Sequence, residues 1–139
     1  MIEKKVAVLV AAGTGMGADA AKKLAANNFN ISILSSSGKG EKLAKDLGGI
    51  GITGSNQSID KLKKIVEDTY NKWGRIDVLL NSAGHGPKGP VLELSDSDWQ
   101  QGMETYFLNV VRATRLVTPI MQKQMSGSII NISTYAVFE

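Results

Sequence analysis

The sequence predicts an α/β protein in which a doubly wound parallel sheet is covered by helices on both faces. Three observations predict it. First, the apolar run Val6-Ala7-Val8-Leu9-Val10-Ala11-Ala12 empties into a glycine turn, Gly13-Thr14-Gly15-Met16-Gly17, and an alanine-rich, helix-favouring segment over 18–26 follows at once. Second, strand-length and helix-period segments alternate along the chain with no repeat and no low-complexity linker, the pattern of a parallel sheet with helical crossovers. Third, the residues directly after the strands are small and polar at every strand end. Right-handed crossovers bring those ends to one side of the sheet, where ligands bind.

Each element has its own signal. Met16, Ala20 and Leu24 repeat at helical spacing over 16–27, and small residues let that helix lie close to the sheet. Phe29, Ile31 and Ile33 alternate with Asn30 and Ser32, the period of a strand, and the run ends in the polar loop Ser35-Ser36-Ser37-Gly38. A short helix over 41–47 closes on Gly48-Gly49, where a left-handed cap favours glycine. Residues 50–53 form a brief strand, and Gly54-Ser55-Asn56 turns the chain.

Ser58 is the expected N-cap of a long helix whose stripe is Ile59, Leu62, Val66, Thr69, Tyr70 and Trp73, stopped by Gly74. A strand over 76–80 leads into Asn81-Ser82-Ala83-Gly84, and Pro87, Gly89 and Pro90 make a loop. Ser95 with Asp98 resembles a capping box. The helix that follows carries Trp99, Met103, Phe107 and Val110 on an apolar face. Pro119, which has no N–H, is expected to kink or break it. Residues 128–133 read as a fifth strand.

Composition bounds the function. With 42% hydrophobic residues in 139, the chain can bury one proper core, so residues 1–139 are read as one domain. Sixteen basic against 13 acidic residues leave a net charge of +3, spread rather than gathered. Lys61, Lys63 and Lys64 come closest to a run, and helical spacing makes them a wet helix face. No nucleic-acid partner is expected. Without cysteine there are no disulfides and no thiolate chemistry, and no metal site is expected. Lys4-Lys5 ahead of an apolar run raises the question of a signal peptide, but a glycine turn and a charged helix follow that run. No stretch approaches the length of a membrane span. The expectation is a soluble, cytoplasmic protein with no membrane partner.

A glycine turn between a strand and a helix presents backbone N–H groups to a phosphate, although many such turns use glycine only for its backbone freedom. No acidic residue follows the second strand, where a carboxylate would accept from a ribose 2′-hydroxyl and repel a 2′-phosphate. Ser35, Ser36 and Ser37, with Lys39 nearby, can donate to a phosphate instead. That tilts the expected cofactor toward NADP over NAD. An ordinary polar turn is the bland alternative.

The stretch Trp73-Gly74-Arg75-Ile76-Asp77-Val78-Leu79-Leu80 followed by Asn81-Ser82-Ala83-Gly84 resembles the short-chain dehydrogenase/reductase family. Trp99, then Leu108-Asn109-Val110, then Gly127-Ser128-Ile129-Ile130-Asn131-Ile132-Ser133 extend the similarity in order along the chain. The resemblance implies a Rossmann-type three-layer sandwich with strand order 3-2-1-4-5, ending after strand five. It implies that Gly13, Gly15 and Gly17 line the pyrophosphate, flanked by Thr14 and Met16, and that Asn81, Ala83 and Gly84 pass along the adenosine ribose. Asn109 matches the asparagine that interrupts a helix and holds a water in a proton relay. Ser133 matches the serine that orients the substrate carbonyl. The bland readings are a hydrogen-bonding partner inside a helix for Asn109 and a strand-end cap for Ser133. His85, the one histidine, lies in a glycine-proline loop and is read as a packing or surface residue.

The chain departs from the family pattern in several places. The usual Thr-Gly is replaced around Val10-Ala11-Ala12, Ser82 stands where asparagine is common, and Arg112 stands where glycine is frequent. The acidic residue near the adenine is missing at Gly54-Ser55-Asn56. The family's catalytic tyrosine lies over a dozen residues beyond the serine, with a lysine four residues later; Tyr135 has neither spacing, and the given sequence ends at Glu139 before that segment. The expected function is hydride transfer between NAD(P)H and a small-molecule carbonyl or alcohol, with this chain carrying the cofactor site and part of the active site. A non-catalytic dinucleotide-binding module is the alternative. Self-association is expected through the helical region 96–125.

Overall fold

The computed structural model describes residues 3–83 and 85–134. Five parallel strands form one sheet in the order β3-β2-β1-β4-β5. They are β1 (Lys5–Val10), β2 (Phe29–Ser35), β3 (Ile50–Thr53), β4 (Val78–Asn81) and β5 (Ser128–Asn131). The helices are α1 (Gly15–Ala26), α2 (Gly38–Asp46), α3 (Ile59–Trp73), α4 (Asp96–Met103) and α5 (Asn109–Gln124). A 3₁₀ turn occupies Val91–Glu93.

The strands alternate their side chains between two cores, giving the expected three layers. Val8, Val10, Leu34, Ile52 and Leu79 pack with Leu62, Ile65 and Val66 of α3 and with Ala113, Val117 and Met121 of α5. Ala7, Leu9, Ile31, Ile33, Val78 and Leu80 face the other way, onto Ala21 of α1 and Ala44 of α2. Small residues dominate α1, so it sits low on the sheet and carries the glycine turn with it. Ser58 caps α3 by accepting from the Lys61 N–H, and Gly74 closes it at φ 68. Ser95 and Asp98 form the expected capping box.

Several local expectations are corrected. α2 begins at Gly38 rather than residue 41, and its first turn packs on β2 at Gly40, where an added Cβ would lie 2.4 Å from the Ser35 Cβ. The predicted stripe of α3 included Ile59, which is exposed in the first turn, and left out Ile65, which is buried. Pro119 neither breaks nor ends its helix: α5 runs through it to Gln124. The Thr118 hydroxyl donates to the Thr114 carbonyl at 2.7 Å, one turn back, beside the lost N–H. The interruption falls earlier, as a π turn over Glu104–Leu108. The apolar face of this region is turned partly outward, with Trp99, Met103 and Phe107 about half exposed. β5, at the sheet edge, stops two residues short of the expected span, and Ile129 and Ile130 are exposed.

Candidate functional site

The strand ends are level. Val10 pairs in register with Leu34 and Asn81, and Asn81 with Asn131. Hydrogen bonds continue one residue past that row: Ala11 N–H donates to the Leu34 carbonyl at 2.7 Å, Ser82 N–H to Val10 at 3.0 Å, and Ile132 N–H to Asn81 at 2.9 Å. The Asn81 amide donates to the Asn131 side-chain oxygen at 2.9 Å. The loops therefore start from fixed positions on one side of the sheet, and they enclose a cleft.

The glycine turn forms its floor. Ala11 enters it at φ 57, a left-handed conformation that costs an L-residue about 1–2 kcal/mol. This strained residue falls within the segment where the family's usual Thr-Gly is replaced. Thr14 is the N-cap of α1 and makes no side-chain cap bond, and no acidic residue occupies the first turn. The helix thus keeps its N-terminal N–H groups and partial positive charge available for an anion. Gly13 is pressed against β2, since an added Cβ would lie 2.3 Å from the Ser35 Oγ. Gly17 is likewise crowded, by the Ala12 Cα at 2.8 Å. Gly15 differs: at φ +57 it has nothing within 4 Å of an added Cβ. Two glycines of the turn serve packing, and the third leaves open space over the helix end.

The outer part of the cleft, about 660 Å³, is lined by Gly13, Thr14, Gly15 and Met16, by Ser35, Ser36 and Ser37, and by Ser82, Ala83 and His85. Ser35 is buried and accepts from the Ser37 N–H at 3.4 Å, whereas Ser36 and Ser37 are exposed. The inner part, about 520 Å³, shares Met16, Ser82, Ala83 and His85 and adds Asn81, Tyr106, Ser133 and Thr134. Ten of the residues singled out in the sequence thus meet in one continuous space: Gly13, Thr14, Gly15, Met16, Ser35, Ser36, Ser37, Asn81, Ala83 and Ser133. Gly17 lies buried behind it. Gly84 and Tyr135 lie outside the described residues.

Asn109 is placed differently. It is fully buried at the start of α5, directly after the π turn, and neither of its amide atoms has a hydrogen-bond partner among the described residues. Tyr106, three residues earlier, is the aromatic that this region turns to the cleft, and its hydroxyl accepts from the Gly86 N–H at 2.6 Å.

Sequence reasoning also missed one wall. Ser55, Asn56 and Gln57 line the outer cleft together with Gln101 and Thr105. The strand-end rule pointed to Ser55 and Asn56 without assigning them. Gln101 and Thr105 had no signal, because only tertiary packing brings α4 and the π turn across the sheet end.

One ion pair fixes the opposite end of the sheet. Asp77 is buried, accepts from the Val6 N–H at 2.8 Å, and receives both arms of Arg75 at 2.8 and 2.9 Å. Burial pushes its pKa up, but the Arg75 and Val6 hydrogen bonds outweigh that and hold it below the usual carboxylate range. Glu104 is also held low, by its hydrogen bonds to Arg112. Among the described residues no cluster of three His, Cys, Asp or Glu could hold a metal ion, and no helix is long and apolar enough to cross a membrane.

The family model for short chain dehydrogenase matches residues 5–139. Dehydrogenase/reductase SDR family member 4 of Caenorhabditis elegans is 33% identical over 145 aligned residues, covering 99% of this chain and 56% of the relative. An uncharacterized oxidoreductase of Staphylococcus saprophyticus is 28% identical, covering 97% of this chain and 56% of its own length. The 3-oxoacyl-(acyl-carrier-protein) reductase FabG of Staphylococcus epidermidis is 27% identical, with 94% and 56% covered. Among solved structures, a variant of actinorhodin polyketide ketoreductase with NADPH superposes at a TM-score of 0.89 and 25% identity, over 98% of this chain and 55% of that one. The chain spans about half the length of the curated relatives it matches.

Proposed function

The chain belongs to the short chain dehydrogenase family, and from that premise we propose that its cleft holds a nicotinamide dinucleotide, NADP in preference to NAD. The whole protein would then move a hydride between that cofactor and a small-molecule carbonyl or alcohol. The observation that carries this reading is Gly15, whose missing side chain leaves open space at an α1 N-terminus free of acidic residues. A pyrophosphate needs both features: close backbone approach and unneutralised N–H groups. The nicotinamide ring, when bound, supplies or accepts the hydride.

The chain's own residues divide the remaining work. Gly13, Thr14, Gly15 and Met16 cradle the pyrophosphate at the helix end, and Gly17, buried behind them, supports the turn. The exposed Ser36 and Ser37 offer hydroxyl donors to a 2′-phosphate, and no carboxylate among 35–37 repels it. Asn81, whose side-chain oxygen has no partner among the described residues, and Ala83 would pass along the adenosine ribose. Ser133, exposed beyond β5, orients and polarises the substrate carbonyl. Asn109 offers a buried amide, neither end paired among the described residues, that would hold a water in a proton relay. The NADPH bound to the polyketide ketoreductase and the reductase named FabG support the cofactor and the reaction class. We also propose that the chain self-associates through 96–125, where Trp99, Met103 and Phe107 are exposed; sedimentation showing only monomer would refute this.

Calorimetric titration with NADP and with NAD tests the cofactor reading. Saturable one-site binding, tighter for NADP, is the expected result. No binding of either nucleotide would overturn it, and tighter NAD binding would overturn the serine-loop argument.

A further inference from the structure

The π turn over Glu104–Leu108 touches both walls of the cleft. On one side, Thr105 accepts from the Gln57 side-chain amide at 2.9 Å, and Gln57 follows Ser55 and Asn56 along the cleft wall. On the other, the Tyr106 hydroxyl accepts from the Gly86 N–H at 2.6 Å. That contact is tight, since a Cβ on Gly86 would lie 2.5 Å from the Tyr106 ring. A π turn carries one residue more than an α-helical turn and persists only where its surroundings hold it. Here the holder is visible. Arg112 reaches back across the whole turn to pair with both carboxylate oxygens of Glu104, and the same guanidinium donates to the Gln57 carbonyl at 3.5 Å. Arginine suits this place because its planar fork serves two acceptors on two elements at once.

We infer that Arg112 is a positioning residue for the cleft: by joining Glu104 to the Gln57 carbonyl it holds the π turn that ties down both walls. Arg112 touches no cleft volume itself and acts through Thr105 and Tyr106. The inference deepens the dinucleotide reading, because the walls it sets are those of the proposed cofactor cleft. The Gln57 link is the part that a purely helical staple would not need.

Hydrogen exchange on the full chain without nucleotide tests the positioning directly. In Arg112→Ala the amides of Gln57, Ser58 and Gly86 should exchange about tenfold faster, while β1 and β4 amides keep their protection. Arg112→Lys, which keeps the charge but not the fork, should recover thermal stability and only part of that protection. Should Arg112→Ala fail to fold, Glu104→Gln should give the same pattern more weakly. Unchanged exchange at those three amides in a folded variant would overturn the inference. NADP titration then reads the consequence, expected as roughly tenfold weaker binding in Arg112→Ala with the melting temperature of Arg112→Lys near that of the parent. Failure of the parent chain to bind NADP would sink the dinucleotide reading and leave the exchange result standing.

Discussion

Replacing Asn109 by leucine should make the protein more stable. Asn109 is fully buried, and both its Nδ2 and Oδ1 lack hydrogen-bond partners among the described residues. An unpaired buried polar group costs about 1–3 kcal/mol, so the two together cost about 2 kcal/mol even at the low end. Leucine has the same branching with two methyl groups at the amide positions, and its larger bulk returns about 1 kcal/mol as overpacking. The net gain is about 1 kcal/mol, which raises the melting temperature of a domain this size by roughly 3–6 °C. Differential scanning calorimetry of parent and variant at one pH measures it. A melting temperature several degrees below the parent would mean instead that the amide is paired in solution and that its loss is felt. A gain in stability would show that the amide has no partner, water included, in the protein free of nucleotide, and that the asparagine is kept for a reason other than folding.

Other outcomes follow from the same geometry. Gly13→Ala drives a Cβ into the buried Ser35 Oγ and should cost about 1–3 kcal/mol in urea unfolding. Ser37→Asp places a carboxylate at the proposed 2′-phosphate position and should weaken NADP binding by roughly tenfold or more while sparing NAD. Asp77→Asn should cost about 2–3 kcal/mol, because the Arg75 arms and the Val6 N–H lose their charged partner. The Asp77 carboxyl is depressed in the folded state, so its contribution is complete above the unfolded carboxylate pKa of about 4 and is lost as pH falls through the lower folded value. The parent should therefore lose stability on acidification below that point with a steeper slope than Asp77→Asn. Parallel slopes in denaturant titrations across that range would count against the assignment.

The fold was legible because its signals are local. Glycine at Gly13–Gly17, the alternation of Ile31 and Ile33 with polar residues, and the Ser95–Asp98 capping box each act within a turn or a strand. Strand order followed from the family resemblance, and most of the candidate site from the rule that strand ends gather on one side. What escaped depends on contacts between distant segments. Gln101 and Thr105 reach the cleft only because α4 and the π turn fold across the sheet end. The π turn itself has no short-range signature, while Pro119, which has a strong one, is absorbed in α5. Trp99, Met103 and Phe107 have the spacing of a core face, but periodicity cannot tell a face buried within the chain from one left exposed. Arg112 was visible only as a departure from a family pattern, and its partners Glu104 and Gln57 gave it meaning.

In the proposed function the glycine turn, the serine loop and the ends of β4 and β5 act together as one dinucleotide site. Backbone amide shifts recorded while NADP is added test it most directly. Gly13, Gly15, Ser36, Ser37, Ser82 and Ser133 should shift in concert with a single saturation curve, while the amides of Asp77 and Gly74 at the far end of the sheet stay still. Shifts confined to another surface, or none at saturating nucleotide, would contradict it.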